Sequence, residues 1–361
     1  MLTERTTYVP KSGQFDAVLA TRRRACAVRR AIGLRPGRIT IETDRAEGPA
    51  CIQWQCDFPD DATWAADLDA RAASAEFEAV RATMRELIDR FDRQVLRPVP
   101  LDGSVLTEHD IDGVPVAPEE CEFESDGRML RGYLFRPPGE GPFPCMVINH
   151  GSGIHQGSTD WCNPGVAAML MSWGLAAFLP HRRGYGNSPG TPWREDVSAE
   201  YGTDDYDMQL STRLDAESDD VVAARAFLAA LPDIDETHIG VMGSSFGGTN
   251  TLLAAAKEPA FNCAVEFAGA AMNWDRTPAL RELMTGAAAR LTQPVFFAQA
   301  ANDYSIRPTK ELAASLEGTG KIVRSRVYPA LGVTKDEGHF LFGRGVVVWG
   351  RDVREFLEAY L

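Results

Sequence analysis

Two adjacent serines stand between glycines in the stretch HIGVMGSSFGGTN, residues 238–250. The apolar residues before the serines predict a buried strand, and the residues after them predict a helix. Gly243, Ser245 and Gly247 form the pattern G-x-S-x-G, in which a strained turn lifts the serine out of a sheet. The strand and helix on either side come so close that only glycine fits at the two outer positions. We therefore predict that Ser245 is a nucleophile and that Ser244 is the variable residue before it.

A serine nucleophile needs a base to take its proton and an acid to orient that base. His339 is the only one of six histidines that follows Ser245, and it lies in KDEGHFLFG, a predicted loop between the last strand and the terminal helix. Asp303 follows the apolar strand of PVFFAQAANDYSIRP and is the predicted acid. Asp336 and Glu337 are alternative acids, but they are too close to His339 in sequence to approach its ring from the opposite side.

Acyl transfer builds a negative oxygen, which backbone N–H groups stabilise. The N–H of Phe246 is one predicted donor, because it begins a helix whose dipole assists. The N–H of Ser152 is the second, because CMVINHGSGIHQG predicts a strand that ends in a glycine-rich turn. A plain turn without a catalytic role is the alternative for this second segment.

From residue 119 onward, predicted strands alternate with predicted helices. The strands are CEFES, MLRGYLFRP, PCMVINH, LAAFLP, HIGVMG, FNCAVEFAG, PVFFAQAAN and IVRSRVYPA, and VVVWGRDVREFLEAYL predicts a terminal helix. This alternation predicts an α/β fold with a doubly wound, mostly parallel sheet that helices cover on both faces.

The segments GPFPCMVINHGSG, FLPHRRGYGNSPG, GVMGSSFGG, ANDYSIRP and EGHFLF resemble the α/β-hydrolases of the dienelactone hydrolase-like and prolyl-oligopeptidase-like branch. The resemblance implies a serine hydrolase that needs no cofactor or metal and takes a small-molecule ester. Dienelactone hydrolase itself uses a cysteine nucleophile, so Ser245 argues for ordinary esters instead of dienelactones. An amidase or peptidase of the same fold, and a non-catalytic relative of it, are the alternatives.

The first hundred residues follow a different order: strand, helix, strand, strand, helix, strand. A hairpin loop is predicted at DRAEGP and a helix over residues 77–96. This order resembles the ferredoxin-like half of the dimeric α+β barrel family, in which the sheets of two subunits pack face to face. We therefore expect a ferredoxin-like α+β domain at 1–100, a linker at 101–118 and an α/β-hydrolase catalytic domain at 119–361.

The resemblance of the first domain implies a homodimer formed through it. Some members of the barrel family are monooxygenases or haem-binding proteins, but residues 1–108 contain no histidine. A dimerisation or substrate-shaping role is therefore expected, and a cofactor-independent oxygenase in this domain is the alternative.

Composition excludes several other classes. The net charge is −14, divided as +1 over residues 1–100 and −15 over the rest, which argues against nucleic-acid binding. The sequence has no apolar run long enough to cross a membrane and no secretory signal at MLTERTTYVP, so we expect a cytoplasmic protein without membrane contact. Seven scattered cysteines predict reduced, buried thiols and no zinc site.

Three segments keep two interpretations each. The basic run TRRRACAVRR predicts a solvated helix face, with nucleic-acid binding as the alternative. Arg182, Arg183 and Tyr185 follow a strand end, where they either contact a carboxylated substrate or brace the loop. The acidic, aromatic segment over residues 192–207 is a solvated loop or a small lid.

Overall fold

A computed structural model describes residues 2–42, 50–58, 60–97, 104–157 and 161–361. The chain divides into two compact units, Met1–Pro100 and Leu101–Leu361. Each unit has its own sheet and its own apolar core.

The described residues of the first unit form four strands and three helices. They are β1 (Leu2–Pro10), α1 (Phe15–Ala31), β2 (Arg38–Glu42), β3 (Cys51–Phe58), α2 (Asp61–Ala73), α3 (Ala75–Leu87) and β4 (Ile88–Leu96). The sheet order is β2-β3-β1-β4, and every pair of neighbours is antiparallel. Alternate residues of β1 are buried, as expected for a strand with one face on a core.

The predicted helix over residues 77–96 is wrong in its second half. Helix α3 ends at Leu87, and the chain continues as edge strand β4, which pairs with β1. Phe91, which belongs to the predicted helix 77–96, lies opposite Tyr8 in the sheet. The pairing is a long-range contact that local periodicity does not report. Helix α2 was not predicted, and the DRAEGP loop lies outside the described residues.

The basic run in α1 is also not a purely solvated face. Arg23, Arg24 and Arg30 are exposed, but Arg22 and Arg29 are buried, with 5% and 0% of their surface exposed. The two buried arginines are seven residues apart, two helical turns, and therefore lie on the same side of the helix.

Eight strands lie in the described ranges of the second unit, 104–157 and 161–361. They are β5 (Glu119–Ser125), β6 (Arg128–Phe135), β7 (Phe143–Asn149), β8 (Ala176–His181), β9 (Ile234–Ser244), β10 (Ala264–Phe267), β11 (Val295–Ala300) and β12 (Val323–Tyr328). The sheet order is β12-β11-β10-β9-β7-β8-β6-β5. The pairs β5–β6 and β6–β8 are antiparallel, and all other neighbours are parallel.

The helices of the second unit lie between and after these strands. They are α4 (Pro164–Ser172), α5 (Trp193–Asp196), α6 (Asp204–Ala229), α7 (Phe246–Lys257), a 3-10 turn (Trp274–Arg276), α8 (Pro278–Arg290), α9 (Arg307–Ser315), α10 (Lys335–His339), α11 (Leu341–Arg344) and α12 (Val346–Tyr360). Strands β7, β8 and β11 are buried along their whole length, because apolar clusters cover both sheet faces. The predicted doubly wound α/β architecture is confirmed.

Parts of the second unit were predicted as loops but are helical. Helix α6 begins at Asp204, within the acidic, aromatic segment 192–207 that was interpreted as a solvated loop or a small lid. The predicted loop around His339 contains the short helices α10 and α11. Among the described residues, no disulfide joins any of the seven cysteines; five are buried, as predicted, whereas Cys26 and Cys162 are partly exposed. Across the residues described, no helix is long and apolar enough to cross a membrane.

Candidate active site

Ser245 forms the turn between β9 and α7. Its φ of 60° and ψ of −124° lie in a region that residues other than glycine rarely adopt. A Cβ atom at Gly247 would lie 2.1 Å from the carbonyl oxygen of Asn149, and one at Gly243 would lie 2.6 Å from Asn149 Cβ. Close packing against β7 therefore requires both glycines and fixes the strained serine between them.

Asp303 follows β11, and His339 is the last residue of α10. The Nδ1 atom of His339 lies 2.9 Å from Oδ1 of Asp303. The same Oδ1 accepts from the Tyr304 N–H at 2.6 Å, and Oδ2 accepts from Gln299 Nε2 at 2.9 Å. The Asp303 side chain is fully buried, and that of His339 is 11% exposed. Because a carboxylate only accepts, it holds the proton on Nδ1 and leaves Nε2 as the accepting nitrogen.

Asn302 joins the loop of the acid to the loop of the histidine. Its Oδ1 accepts from the Leu331 N–H at 2.9 Å, and its Nδ2 donates to the carbonyls of Leu331 and Thr334 at 2.9 and 2.8 Å. A Cβ atom at Gly338 would lie 2.5 Å from Asn302 Oδ1. Glycine beside His339 therefore allows α10 to press against the end of β11.

The two alternative acids have other partners. Asp336 accepts a hydrogen bond from the Tyr304 hydroxyl. Glu337 accepts from the N–H of Thr334 at 2.9 Å and completes the capping box of α10. The residue that contacts the His339 ring is thus Asp303 and neither of these two.

No hydrogen bond joins the Ser245 hydroxyl to the His339 ring within the described ranges. Such bonds are often long or poorly aligned in proteins without substrate. Strands β9, β10 and β11 are parallel neighbours, so Ser245 and Asp303 follow strand ends at the same edge of the sheet. The structure thus brings Asp303 and His339 into contact and puts Ser245 on their edge of the sheet.

Both predicted oxyanion donors keep their N–H groups without a bonded acceptor among the described residues. Phe246 is the first residue of α7, so its N–H has no acceptor inside the helix. Ser152 follows Gly151 in the turn after β7. A Cβ atom at Gly151 would lie 3.3 Å from Ser245 Cβ and 3.8 Å from Oγ, so this turn passes directly beside the serine.

Arg182 and Arg183 brace the strand ends. Arg182 is fully buried; its Nε donates to Glu217 at 2.8 Å and its Nη2 to the His150 carbonyl at 2.8 Å. Arg183 pairs with Asp220 at 2.7 Å. Of the two interpretations of these arginines, the contacts favour the bracing one.

Glu217 is the centre of this buried network. Its Oε1 accepts from Arg213 Nε at 2.7 Å and from the Tyr185 hydroxyl at 3.1 Å. Burial, with the nearby Glu217 charge, raises the pKa of Tyr185. Burial, with the nearby Arg182 charge, lowers the pKa of His150 well below its ordinary value. His150 is therefore a neutral packing residue at the turn after β7.

The segment 192–207 lies beside the serine turn. The Trp193 ring contacts the Phe246 ring edge to face, with centroids 5.1 Å apart. The Tyr201 hydroxyl donates to the Met272 carbonyl at 2.9 Å. The segment thus provides an aromatic wall next to Phe246, a contact that the sequence pattern did not reveal.

Glu266 is a residue that sequence reasoning missed. It lies on β10, is 1% exposed, and accepts a hydrogen bond from the Gly269 N–H. Burial raises its pKa to about 8, and the nearby charge of Asp303 acts in the same direction. A single acidic residue inside the apolar run FNCAVEFAG was the available signal. The described residues contain no group of three or more His, Cys, Asp or Glu arranged to hold a metal ion.

Solved structures share the architecture of the second unit. The acylaminoacyl peptidase of Pyrococcus horikoshii, 19% identical, aligns with a TM-score of 0.50 over 67% of this chain and 40% of its own. This alignment, the strand order of the eight-stranded sheet and the strained turn at Ser245 all indicate the same fold. The second unit has the α/β-hydrolase fold.

Sequence similarity covers part of the α/β-hydrolase unit. Residues 163–286 match the prolyl oligopeptidase family, a stretch that includes Ser245 but neither Asp303 nor His339. The quorum-quenching protein AidA of Acinetobacter baumannii is 30% identical over 150 residues, which are 41% of this chain and 42% of AidA. The polyketide transferase claH of Penicillium crustosum is 35% identical over 141 residues, 38% of this chain and 40% of claH. The chain thus spans about two fifths of these relatives.

Proposed function

We propose that this protein is a serine hydrolase that cleaves carboxylic esters. The observation that carries the proposal is the buried Asp303–His339 pair, which shares a sheet edge with a serine in a strained turn. This is the set of groups that acyl transfer through a serine requires. No cofactor takes part in the proposed reaction.

In the proposed reaction, the Ser245 Oγ attacks the ester carbonyl carbon while His339 Nε2 takes the hydroxyl proton. The N–H groups of Phe246 and Ser152 stabilise the negative oxygen that forms. His339 then gives its proton to the leaving alcohol, and an acyl-enzyme remains. Water, deprotonated by His339, attacks the acyl carbon and releases the acid and the free serine. Asp303 holds the imidazole and stabilises its charged form in both steps.

A fluorophosphonate probe and nitrophenyl esters test this proposal. Wild-type protein is expected to be labelled at Ser245 and to hydrolyse the esters. Ser245→Ala is expected to lose the labelling and about 10⁴-fold or more of kcat. Ser244→Ala, a change of the adjacent serine, is the matched control and keeps both. Equal labelling of wild type and Ser245→Ala would exclude the proposed nucleophile, and an unlabelled wild type would favour a non-catalytic relative of the fold.

The amidase alternative is separated by substrate. The same catalytic groups can cleave amides, and the match of residues 163–286 to the prolyl oligopeptidase family supports this alternative. We expect nitrophenyl esters to be cleaved with a higher kcat/KM than aminoacyl nitroanilides. The opposite order would assign the protein to the amidases.

Acyl transfer to an acceptor other than water is a second candidate function. The names of several relatives favour it: claH and the grgF protein of Penicillium, the latter 28% identical over 219 residues, are both called polyketide transferases. The acyl-enzyme would be the same, with an alcohol or amine in place of water. Adding a primary alcohol to the nitrophenyl ester assay distinguishes the two functions. A transferase forms the ester of the added alcohol and releases nitrophenol faster than in the assay without alcohol.

We also propose that two chains pair through the first unit, as its resemblance implies. Size-exclusion chromatography with light scattering tests this, and a monomeric mass would remove the proposal.

A further inference from the structure

The first unit contains a cavity that the proposed hydrolase reaction does not use. Its volume is about 360 Å³, within the range of roughly 300–1,000 Å³ that is usual for small-molecule sites. It lies on the helix-covered side of the sheet, with walls from β1, β3, β4, α1, α2 and α3. The charged residues that line it are five arginines and one carboxylate: Arg22, Arg71, Arg81, Arg85, Arg93 and Glu4.

Arg22 is the unusual member of this lining. It is 5% exposed, yet no carboxylate lies within ion-pair distance of its guanidinium in the described structure. Its Nη1 donates to the Tyr8 hydroxyl at 3.2 Å, its Nη2 has only the Cys26 sulfur at 3.7 Å, and its Nε has no acceptor. Nε and Nη2 form one edge of the guanidinium, the edge that binds a carboxylate through two parallel hydrogen bonds.

The buried carboxylates near the cavity are already bound to other arginines. Glu4 pairs with Arg71 at 2.8 Å and with Arg93 at 3.0 Å. Asp67, behind the cavity, pairs with Arg29 and with Arg71. Burial raises the pKa of Glu4, but its hydrogen bonds and the arginine charges outweigh burial and lower that pKa overall. The charge of Arg22 therefore stays uncompensated, at a site where burial of an unpaired charge is costly.

On α3, the exposed Glu78 forms ion pairs with Arg85 at 2.8 Å and with Arg81 at 3.4 Å. These two arginines are thus partly neutralised, whereas Arg22 is not. The positive charge of the cavity is concentrated at its buried end, beside β1 and β3.

Aromatic rings surround the same guanidinium. The Arg22 guanidinium carbon lies 4.5 Å from the Trp54 ring centroid, and Tyr8 contacts Phe91 with centroids 5.5 Å apart. Phe91, on edge strand β4, is half exposed and borders the cavity together with Phe77. Rings and aliphatic groups along the walls suit an apolar body, and the arginine suits an anionic end.

We propose that this cavity binds a small organic acid, with its carboxylate on Arg22 and an aromatic or apolar body between Trp54, Phe77 and Phe91. The site is independent of the proposed hydrolase reaction. The carboxylate of the bound acid would supply a negative charge to the buried Arg22 guanidinium. Among the residues described, no carboxylate of the chain supplies that charge.

Calorimetric titration of the full-length Ser245→Ala chain with naphthalene-2-carboxylate tests the proposal. The neutral naphthalene-2-carboxamide and inorganic phosphate are the comparison probes. We expect the carboxylate to bind and the two comparison probes to bind at least about tenfold more weakly. The amide lacks the negative charge, and phosphate lacks the aromatic ring. Equal affinity for carboxylate and amide, or for carboxylate and phosphate, overturns the proposal, as does no binding of the carboxylate.

Variants at two neighbouring arginines locate the site. Arg22→Gln is expected to weaken carboxylate binding about tenfold or more, whereas Arg23→Gln, which removes an exposed charge one residue away, leaves it unchanged. The melting temperature of ligand-free Arg22→Gln should be equal to or above that of wild type, because an unpaired buried charge is removed. Phe91→Ala, at the exposed border, should weaken the carboxylate severalfold without affecting folding. Unchanged binding in Arg22→Gln would place the carboxylate elsewhere, including in the hydrolase site.

Discussion

The side chain of Asn302 forms two hydrogen bonds with the backbone of Leu331, accepting from its N–H and donating to its carbonyl, each at 2.9 Å. Asn302 directly precedes the predicted acid, and Leu331 begins the loop that leads to the predicted base. One amide side chain therefore sets the distance between two loops that are about thirty residues apart in the sequence.

The first prediction concerns this link. Asn302→Ala should lower kcat of ester hydrolysis about 10- to 100-fold with little change in KM, because His339 loses its fixed distance from Asp303. Steady-state kinetics on nitrophenyl esters measure both constants. Fluorophosphonate labelling at long times should still reach completion, since Ser245 is unchanged. An unaltered kcat would show that α10 is positioned by other contacts.

The second prediction concerns the serine turn. Gly247→Ala places a methyl group 2.1 Å from a backbone oxygen, so the turn must move and the protein should lose activity and about 3 kcal/mol or more of stability. Gly165→Ala, in helix α4, has open space and should be neutral or stabilising by about 0.5–1 kcal/mol. Thermal melting and the ester assay compare the two variants. Similar melting temperatures would contradict the packing argument.

The third prediction concerns the buried network around Glu217. Glu217→Gln leaves the buried Arg182 without its carboxylate partner, leaves Arg213 with Asp196 alone, and should cost about 3–5 kcal/mol of folding free energy. Glu355→Gln breaks an exposed pair with Arg351 and should change stability by less than about 0.5 kcal/mol. Urea unfolding measures both variants, and a small effect of Glu217→Gln would mean that the network is not tightly closed.

The fourth prediction concerns the buried carboxyl of Glu266. Burial raises its pKa from 4.5 to about 8, so between these pH values the folded chain keeps a proton that the unfolded chain has lost. The free energy of unfolding should therefore fall as the pH rises from about 4.5 to about 8, and this loss should stop above that range. Glu266→Gln removes the effect, because a glutamine does not titrate.

Melting curves of wild type and Glu266→Gln at pH 5, 6.5 and 8 measure this difference. The free energy of unfolding of the variant, relative to that of wild type, should rise with each increase in pH, by at most about 1.4 kcal/mol per pH unit. A difference in melting temperature that is the same at all three pH values would rule out a titrating Glu266.

The architecture of the second unit was predictable because apolar strand runs and helical patterns alternate regularly. Ser245 was predicted from the G-x-S-x-G pattern, His339 as the one histidine after it in the sequence, and Asp303 from its place after an apolar strand. Of these predictions, the structure shows the contact between Asp303 and His339. The bracing role of Arg182 did not follow, because its partner Glu217 lies within a long helix whose facing direction the sequence leaves open. Glu266 was missed because its burial depends on the packing of β10 between two other strands.

In the first unit, the sequence reasoning failed at contacts between distant segments. Residues 88–96 have helical spacing but become a strand because β1 offers a pairing edge. Arg22 was interpreted as solvated because it belongs to a basic run, although its spacing from Ala25 and Arg29 is that of a buried helix face. Charge alone therefore predicts exposure poorly when aromatic rings are available to cover a guanidinium.

Edge strand β4 has a consequence for how this protein behaves at high concentration. In the described part of the chain it pairs with β1 on one side only, and Phe91, Val95 and Leu96 are exposed along it. An edge strand of this length has unpaired backbone N–H and C=O groups, with which a strand of another chain can pair. The alternating charges of Asp89, Arg90, Asp92 and Arg93 interrupt the apolar residues along this strand, so we expect the resistance of this protein to aggregation to depend on four charged side chains of a single strand.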